Sequence, residues 1–167
     1  MSGSEDGIHE REVLTTRVVS VARELVFLAW TDPAQLVHWW GPKGFTNTFH
    51  TFDLKPEGIW DFTMHGPNGQ DFKNTCVFKR IEAPGYLEFD HLKEMHFYKA
   101  MVTFSEVPDG TRIDWIMRFE SAEELTPIRA FIEPANEENL DKLENHLKGR
   151  VIKFSDPARA GIFPPQP

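Results

Sequence analysis

Seven histidines, one cysteine and a spread of carboxylates are the groups in this chain that could carry chemistry. Their spacing argues against most of it. There is no Gly-x-Ser-x-Gly elbow, no His-Glu-x-x-His pair and no glycine-rich phosphate loop. His91 and His96 lie five apart across an expected turn, and His50 and His65 fall on neighbouring strands. Nothing in that spacing forces three ligands together, so no metal and no cofactor is assigned. Asp61 and His65 share a strand face four residues apart. At about 3.3 Å per residue they are roughly 13 Å apart, too far for a dyad, and they read as an outer polar face. Cys76 sits among apolar neighbours and reads as a buried, inert thiol, because a reactive one needs an accessible electropositive site. A lone cysteine also excludes an intrachain disulfide and a cysteine-based zinc cage. No residue is therefore assigned a catalytic role.

Three polar residues remain of interest. His91, Asn74 and Asn139 interrupt otherwise apolar positions. Apolar pockets usually contain a few such groups to orient a ligand. The simpler alternative is that each is a satisfied buried or surface residue.

The elements that position them follow from pattern and punctuation. A first strand is expected over 14–22, then a short helix over 23–30. Asp32 suits an N-cap and Pro33 the first turn of a second helix, which Gly41-Pro42 ends. Six strands follow, over 45–54, 58–65, 71–81, 86–91, 97–107 and 111–119, separated by proline- and glycine-marked turns. Asp109-Gly110 is a hairpin signal. Short turns between successive strands imply an antiparallel meander. Ser121 to Glu124 has the spacing of a capping box before an apolar stripe reaching Leu147. Pro134 interrupts that stripe and marks either a kink or a junction between two helices, and Gly149 is a natural stop. This order is α+β: a curved antiparallel sheet gripping one long C-terminal helix, with two short helices after the first strand.

Strand alternation sorts the faces. Trp60, Phe62 and Met64 share one side; so do Phe72, Asn74, Cys76 and Phe78. Leu87, Phe89 and His91 align, as do Tyr98, Ala100, Val102 and Phe104, and then Ile113, Trp115, Met117 and Phe119. These side chains would meet Phe131, Asn139 and Leu143 on the long helix. Most are core on any reading, since large rings are usually inside. The functional reading is that part of the face lines an apolar pocket. The candidate lining is Trp39, Trp60, Phe62, Met64, Phe72, Asn74, Phe78 and Phe89, together with His91, Tyr98, Trp115, Met117, Phe131, Asn139 and Leu143. Trp39 and Trp40 diverge by about 100° on a helix, so one is expected inside and the other at the cavity mouth, unless both join the core.

Composition sets the outer limits. The 167 residues suit one domain, expected over 13–149, with a disordered segment over 1–12 and a proline-rich tail over 150–167. A net charge of −8 argues against nucleic acid, whose phosphates need clustered Lys and Arg. The N-terminus lacks a signal-peptide pattern and no apolar run is long enough to span a membrane, so a cytoplasmic protein is expected. Aromatic residues make up 13% of the chain, which raises the question whether all of them are core or part of them line something.

Four segments carry a family resemblance: Thr31-Asp32-Pro33, the run Trp39-Trp40-Gly41-Pro42-Lys43-Gly44-Phe45, the strand Gly58 to Pro67, and the helix end Asn139 to Leu147. Over 13–149 the chain resembles the bacterial, single-domain branch of the Aha-type family, homologues of the heat-shock-protein ATPase activator, within the SRPBCC or START-like superfamily. The resemblance implies the helix-grip fold of the birch-pollen allergen. It also implies a cavity for an unidentified small hydrophobic molecule, held by a carrier or sensor. A protein-interaction or co-chaperone module, with a chaperone partner, is the first alternative. A cyclase- or hydrolase-type enzyme using the same cavity is the second, with His91 its first residue to test. Homodimerisation is compatible with each.

Overall fold

A computed structural model of the protein describes residues 10–92 and 96–155. The expectations for 1–9 and 156–167 lie outside the described residues. Seven strands are present among those described: β1 (Glu12–Val19), β2 (Thr46–Phe52), β3 (Ile59–His65), β4 (Asp71–Glu82), β5 (Tyr86–His91), β6 (Tyr98–Val107) and β7 (Gly110–Phe119). Helices α1 (Arg23–Thr31) and α2 (Pro33–Trp39) follow β1, and α3 (Ala122–Leu125) and α4 (Arg129–Ser155) follow β7. The strands form one antiparallel sheet in the order β1-β7-β6-β5-β4-β3-β2. The meander thus runs from β2 to β7, and β1 pairs with its last strand. Register shifts between Phe49 and Thr51 and between Phe78 and Arg80 bend the sheet. It curves around α4 in the helix-grip arrangement.

Alternation decides which face is inside. In β7, Ile113, Trp115, Met117 and Phe119 are buried, and in β3 Trp60 and Phe62 are. Leu140, Leu143 and Leu147 of α4 pack down on the sheet at helical spacing. Each such side chain contributes about 1.5–3 kcal/mol when fully buried. The opposite face carries polar networks from β3 to β6. Lys99 Nζ donates to Glu88 at 3.0 Å and Asp90 at 2.8 Å. Asp61 accepts from Thr75 at 3.1 Å, whereas His65 lies between Asp71 at 2.8 Å and Thr48 at 2.7 Å. Asp61 and His65 therefore have separate partners. Cys76 is buried, and burial pushes its thiol well up.

Helix termini follow the chemistry of their capping residues. Asp32 ends α1 through its N–H to Leu28 O (2.8 Å) and caps α2 by accepting from Ala34 N (3.0 Å). Ser121 caps α3 by accepting from Glu124 N at 3.2 Å. Glu124 does not complete the box; its carboxylate bonds His96 instead.

Three expectations need correcting. The first strand spans Glu12–Val19 and not 14–22, because Ser20 to Ala22 turn into α1. The C-terminal helix breaks at 126–128 and not at Pro134. Pro127 has no N–H to continue α3. Pro134 lies inside α4 on its exposed side, and Ala130, whose carbonyl it leaves without an intrahelical donor, is exposed as well. Finally, Gly149 does not stop the helix, which runs on to Ser155.

Candidate functional site

The first turns of α4 do not fill the space above the sheet. A cleft remains there in two adjoining lobes. One, of about 200 Å³, is walled by Trp40, Gly41 and Pro42, by Phe62, Met64, Asn74, Tyr98, Trp115 and Met117 of the sheet, and by α4 from Phe131 to Asn139. The other, of about 260 Å³, is bounded by Asn74, His91, His96, Tyr98, Met117, Phe119, Ile128, Phe131 and Ile132. Asn74, Tyr98, Met117, Phe131 and Ile132 belong to both. A depression of about 280 Å³ at the opposite end of β6 and β7 is lined from Ser20 to Arg23 and by the β6–β7 hairpin. It has no aromatic wall.

Most of the expected lining is brought together here: Phe62, Met64, Asn74, His91, Tyr98, Trp115, Met117, Phe131 and Asn139. Phe131 stands at the mouth, 69% exposed. The rest are elsewhere. Trp60, Phe78, Phe89 and Leu143 are sealed in the core. Phe72 is half-buried against Phe45, ring centroids 6.1 Å apart. Trp39 is also core, because it is the last residue of α2 and its Nε1–H donates to Ala29 O at 3.0 Å. The wall position belongs to Trp40. Its extended backbone (φ −67°, ψ 137°) leaves the helix and turns the indole toward Trp60 and Trp115.

The polar groups of the wall are linked. His91 Nε2 meets Asn74 Oδ1 at 2.7 Å, and Asn74 Nδ2 donates to Phe72 O at 3.0 Å. His91 Nδ1 lies 3.0 Å from His96 O, and the His91 ring stacks on Tyr98 with centroids 4.7 Å apart. His96 Nδ1 meets Glu124 at 2.8 Å. Among the described residues no cluster of three or more His, Cys, Asp or Glu is placed to hold a metal ion.

Burial pushes the Tyr98 phenol well up, so it stays neutral. Tyrosines of an unfolded chain ionise near pH 10. A raised folded pKa means that this contribution to stability is complete below about pH 10 and is lost as pH climbs. We expect the unfolding free energy from urea titration to fall above pH 10, by up to about 1.4 kcal/mol per pH unit, the limit for one tyrosine that stays protonated in the folded state. Tyr98→Phe should make that fall shallower; an unchanged slope would show that Tyr98 is not its source.

The loop that carries Trp40 is clasped by α4. Gly41 N–H donates to Asn139 Oδ1 (3.2 Å), and Asn139 Nδ2 donates to Trp39 O (3.0 Å). Lys142 Nζ donates to Pro42 O (3.2 Å) and Phe45 O (3.0 Å), and burial lowers its pKa. Gly41 has φ +99°, and a Cβ there would lie 2.7 Å from Met64 Cε in the cleft wall. Gly41→Ala should cost about 1–2 kcal/mol from backbone strain alone, read as a lower melting temperature.

Residues 20–148 match the protein family described as Activator of Hsp90 ATPase homolog 1-like protein. The chain belongs to this family. Solved structures of similar fold agree with the architecture of this Activator of Hsp90 ATPase homolog 1-like chain. A protein from Arthrobacter aurescens is 26% identical, with a TM-score of 0.79 over 85% of this chain and 88% of that one. The AHSA1 protein from Silicibacter pomeroyi is 23% identical, with a TM-score of 0.70 over 83% of this chain and 99% of that one. The AHSA1-like protein from Aeromonas hydrophila is 21% identical, with a TM-score of 0.70 over 87% and 97%. No curated protein matches the chain. No helix among the described residues is long and apolar enough to cross a membrane.

Ile132, Ala135, Asn136 and His96 line the cleft and were missed from sequence, whereas Phe119, placed on the inner face, and Trp40, one of the pair with an expected place at the mouth, stood outside the candidate lining. Asn136 carried a signal. It precedes Asn139 and Leu140 by three and four residues, which places it on the buried stripe. His96 carried none, since its position depends on the bond to Glu124.

Proposed function

We propose that this protein holds a small apolar molecule in the cleft between α4 and the sheet, as a carrier or sensor. The observation that carries this reading is the unfilled space itself. Trp40, Phe62, Met64, Trp115, Met117 and Ile132 surround it while the rest of the inner face is closed by α4. Water gains little against such walls, and an apolar ligand buries surface at about 25 cal/mol per Å². The adjoining lobes, at about 200 and 260 Å³, together fall in the lower part of the usual pocket range of roughly 300–1,000 Å³, so the ligand is small. Titration with 1-anilinonaphthalene-8-sulfonate, paired with native mass spectrometry of gently purified protein, tests the reading. Saturable one-to-one dye binding that Ala135→Phe abolishes supports it. No dye binding and no retained mass would remove it.

A second reading has its own observation. Leu14 is 61% exposed, and its partners across the outer face are Ile116 and then Met101, both only partly buried. That apolar row suits a protein-docking surface, and the family description supplies one candidate partner, a chaperone ATPase. Stimulation of such an ATPase that Leu14→Lys removes supports this reading. No stimulation at a stoichiometric excess excludes it.

A further inference from the structure

We infer that His91 is a proton-operated latch on the cleft: as an imidazolium it ties Asn74 to the carbonyl of His96, and loss of its proton frees His96 and loosens the second lobe. The inference rests on the cleft being a ligand site and adds how its hold is regulated.

His91 ends β5 and is 8% exposed. Its Nε2 lies 2.7 Å from Asn74 Oδ1, and its Nδ1 lies 3.0 Å from His96 O. A backbone carbonyl can only accept. Asn74 presents an acceptor as well, because the other end of its amide is 3.0 Å from Phe72 O, where only Nδ2 can donate. Turning that amide over would set oxygen against oxygen there. Both ring nitrogens therefore face acceptors, and only the doubly protonated ring satisfies both. Either neutral tautomer points a lone pair at an oxygen.

Burial alone opposes a charge at this position, and the surroundings offset it. The Tyr98 ring lies parallel to the imidazole, centroids 4.7 Å apart, and offers its π face. Cys76, opposite His91 on β4, and Tyr98, opposite it on β6, keep their protons because burial pushes both groups up. Asp90 and Lys99 pair on the other face of the sheet. His96 shares its own proton with the Glu124 carboxylate of α3, which favours positive charge along this chain of contacts. From α4, Ile128, Phe131 and Ile132 reach the lobe, and Arg129 is engaged by Glu133 and Glu10 O.

The proton completes a continuous path. It runs from Phe72 and Asn74 on β4 through His91 to His96 and on to Glu124, and Asn74, His91 and His96 all wall the second lobe. A neutral ring keeps one N–H. Kept on Nε2, it holds the shorter bond, to a side chain fixed in mid-strand, so the bond given up is the one to His96 O. His96 is then free to leave the wall, and water enters the lobe. An apolar ligand binds the closed lobe better, so ligand and proton each raise the other's affinity by the same factor. The two bonds exist only in the folded chain. Their contribution to stability is complete below about pH 6.5, where an unfolded histidine is protonated, and is lost as pH climbs through the folded value.

Two-bond ¹H–¹⁵N spectra of the imidazoles test it, recorded on the full chain from about pH 5.5 to about pH 9. They read both nitrogens of each of the seven histidines, and contact with the Tyr98 ring assigns His91. We expect both His91 nitrogens to carry protons at pH 7, and the His96 backbone signals to move as the ring titrates. The dye N-phenyl-1-naphthylamine stays neutral over this range. It should bind about threefold or more tightly below the His91 transition than above it. Saturating dye should in turn move the His91 midpoint up by about half a pH unit, which is the same coupling read from the proton. Asn74→Leu removes one acceptor, so a neutral ring can keep Nδ1–H on His96 O, and dye affinity should lose its pH dependence. The wild-type spectra decide the proton whether or not that variant folds. A His91 ring bare on one nitrogen at pH 7 would overturn the inference. So would wild-type dye affinity that is flat across the titration, which leaves the cleft as a site without a latch. If His91 titrates as expected and the dye binds at no pH, the cleft is no ligand site and both readings fall.

Discussion

Asn139→Leu is expected to destabilise the protein by about 2–6 kcal/mol, a large part of the roughly 5–15 kcal/mol that holds a domain together. The reasoning is local. Asn139 is 3% exposed and uses both ends of its amide on the same loop, accepting from Gly41 N–H and donating to Trp39 O. Leucine nearly matches its volume, so packing is conserved. It leaves a buried N–H and a buried carbonyl without partners, each costing about 1–3 kcal/mol. Asn139→Asp separates the two bonds. Its carboxylate can still accept from Gly41, but its second oxygen faces the Trp39 carbonyl with no proton between them. Protonation restores that donor. The aspartate variant should therefore be strongly destabilised at pH 7 and recover toward the wild type as pH falls. Denaturant midpoints across that range measure it. A leucine variant within 1 kcal/mol of wild type would mean that the clasp contributes little.

That clasp also shows how far the sequence reaches. The pair Trp39-Trp40 and the distant Asn139 both lay in segments that carry the family resemblance, so their importance was legible. The bond between them was not, because nothing in the pattern brings positions 100 residues apart into contact. Strand alternation was the strongest signal. It assigned the inner face of β3 and β7 correctly because only a sheet with one buried side produces it. The helix was harder. Pro134 drew attention for sitting in an apolar stripe, yet the break is at Pro127, where the helical run had barely begun. A proline in the second turn of a helix is tolerable when the carbonyl it orphans faces water, and exposure is a tertiary property. The cleft lining was legible on the strands and less so at the helix end. Trp39 and Trp40 exchanged roles because one residue separates the end of α2 from extended chain. A periodicity argument cannot place a helix end that finely.

Trp30→Ala should be the most damaging single change in the core, and its effect should reach the cleft. Trp30 is 1% exposed, and its ring lies against Trp39 (4.9 Å between centroids), Trp40 (5.8 Å), Phe104 (5.8 Å) and Trp115 (5.6 Å). Removing it takes away a large buried surface and leaves a cavity, for about 3–5 kcal/mol. For a chain of this length that corresponds to a melting temperature lower by roughly 6–20 °C. Trp30→Phe keeps most of the ring and deletes an indole N–H that has no acceptor, so it should cost well under half as much. The consequence for function follows from which rings rest on Trp30. Two of them, Trp40 and Trp115, are also cleft walls. With their support gone, both can lean into the new void, and the cleft loses its shape. Leu147→Ala is the control. Leu147 is equally buried, and its loss should cost about 2–5 kcal/mol, but it lies toward the far end of α4 and does not line the cleft. Dye titration at a temperature where both variants are folded separates the two. Trp30→Ala should lose at least tenfold in affinity, while Leu147→Ala stays near wild type. Equal loss in both would mean that binding tracks global stability and that Trp30 has no special hold on the cleft.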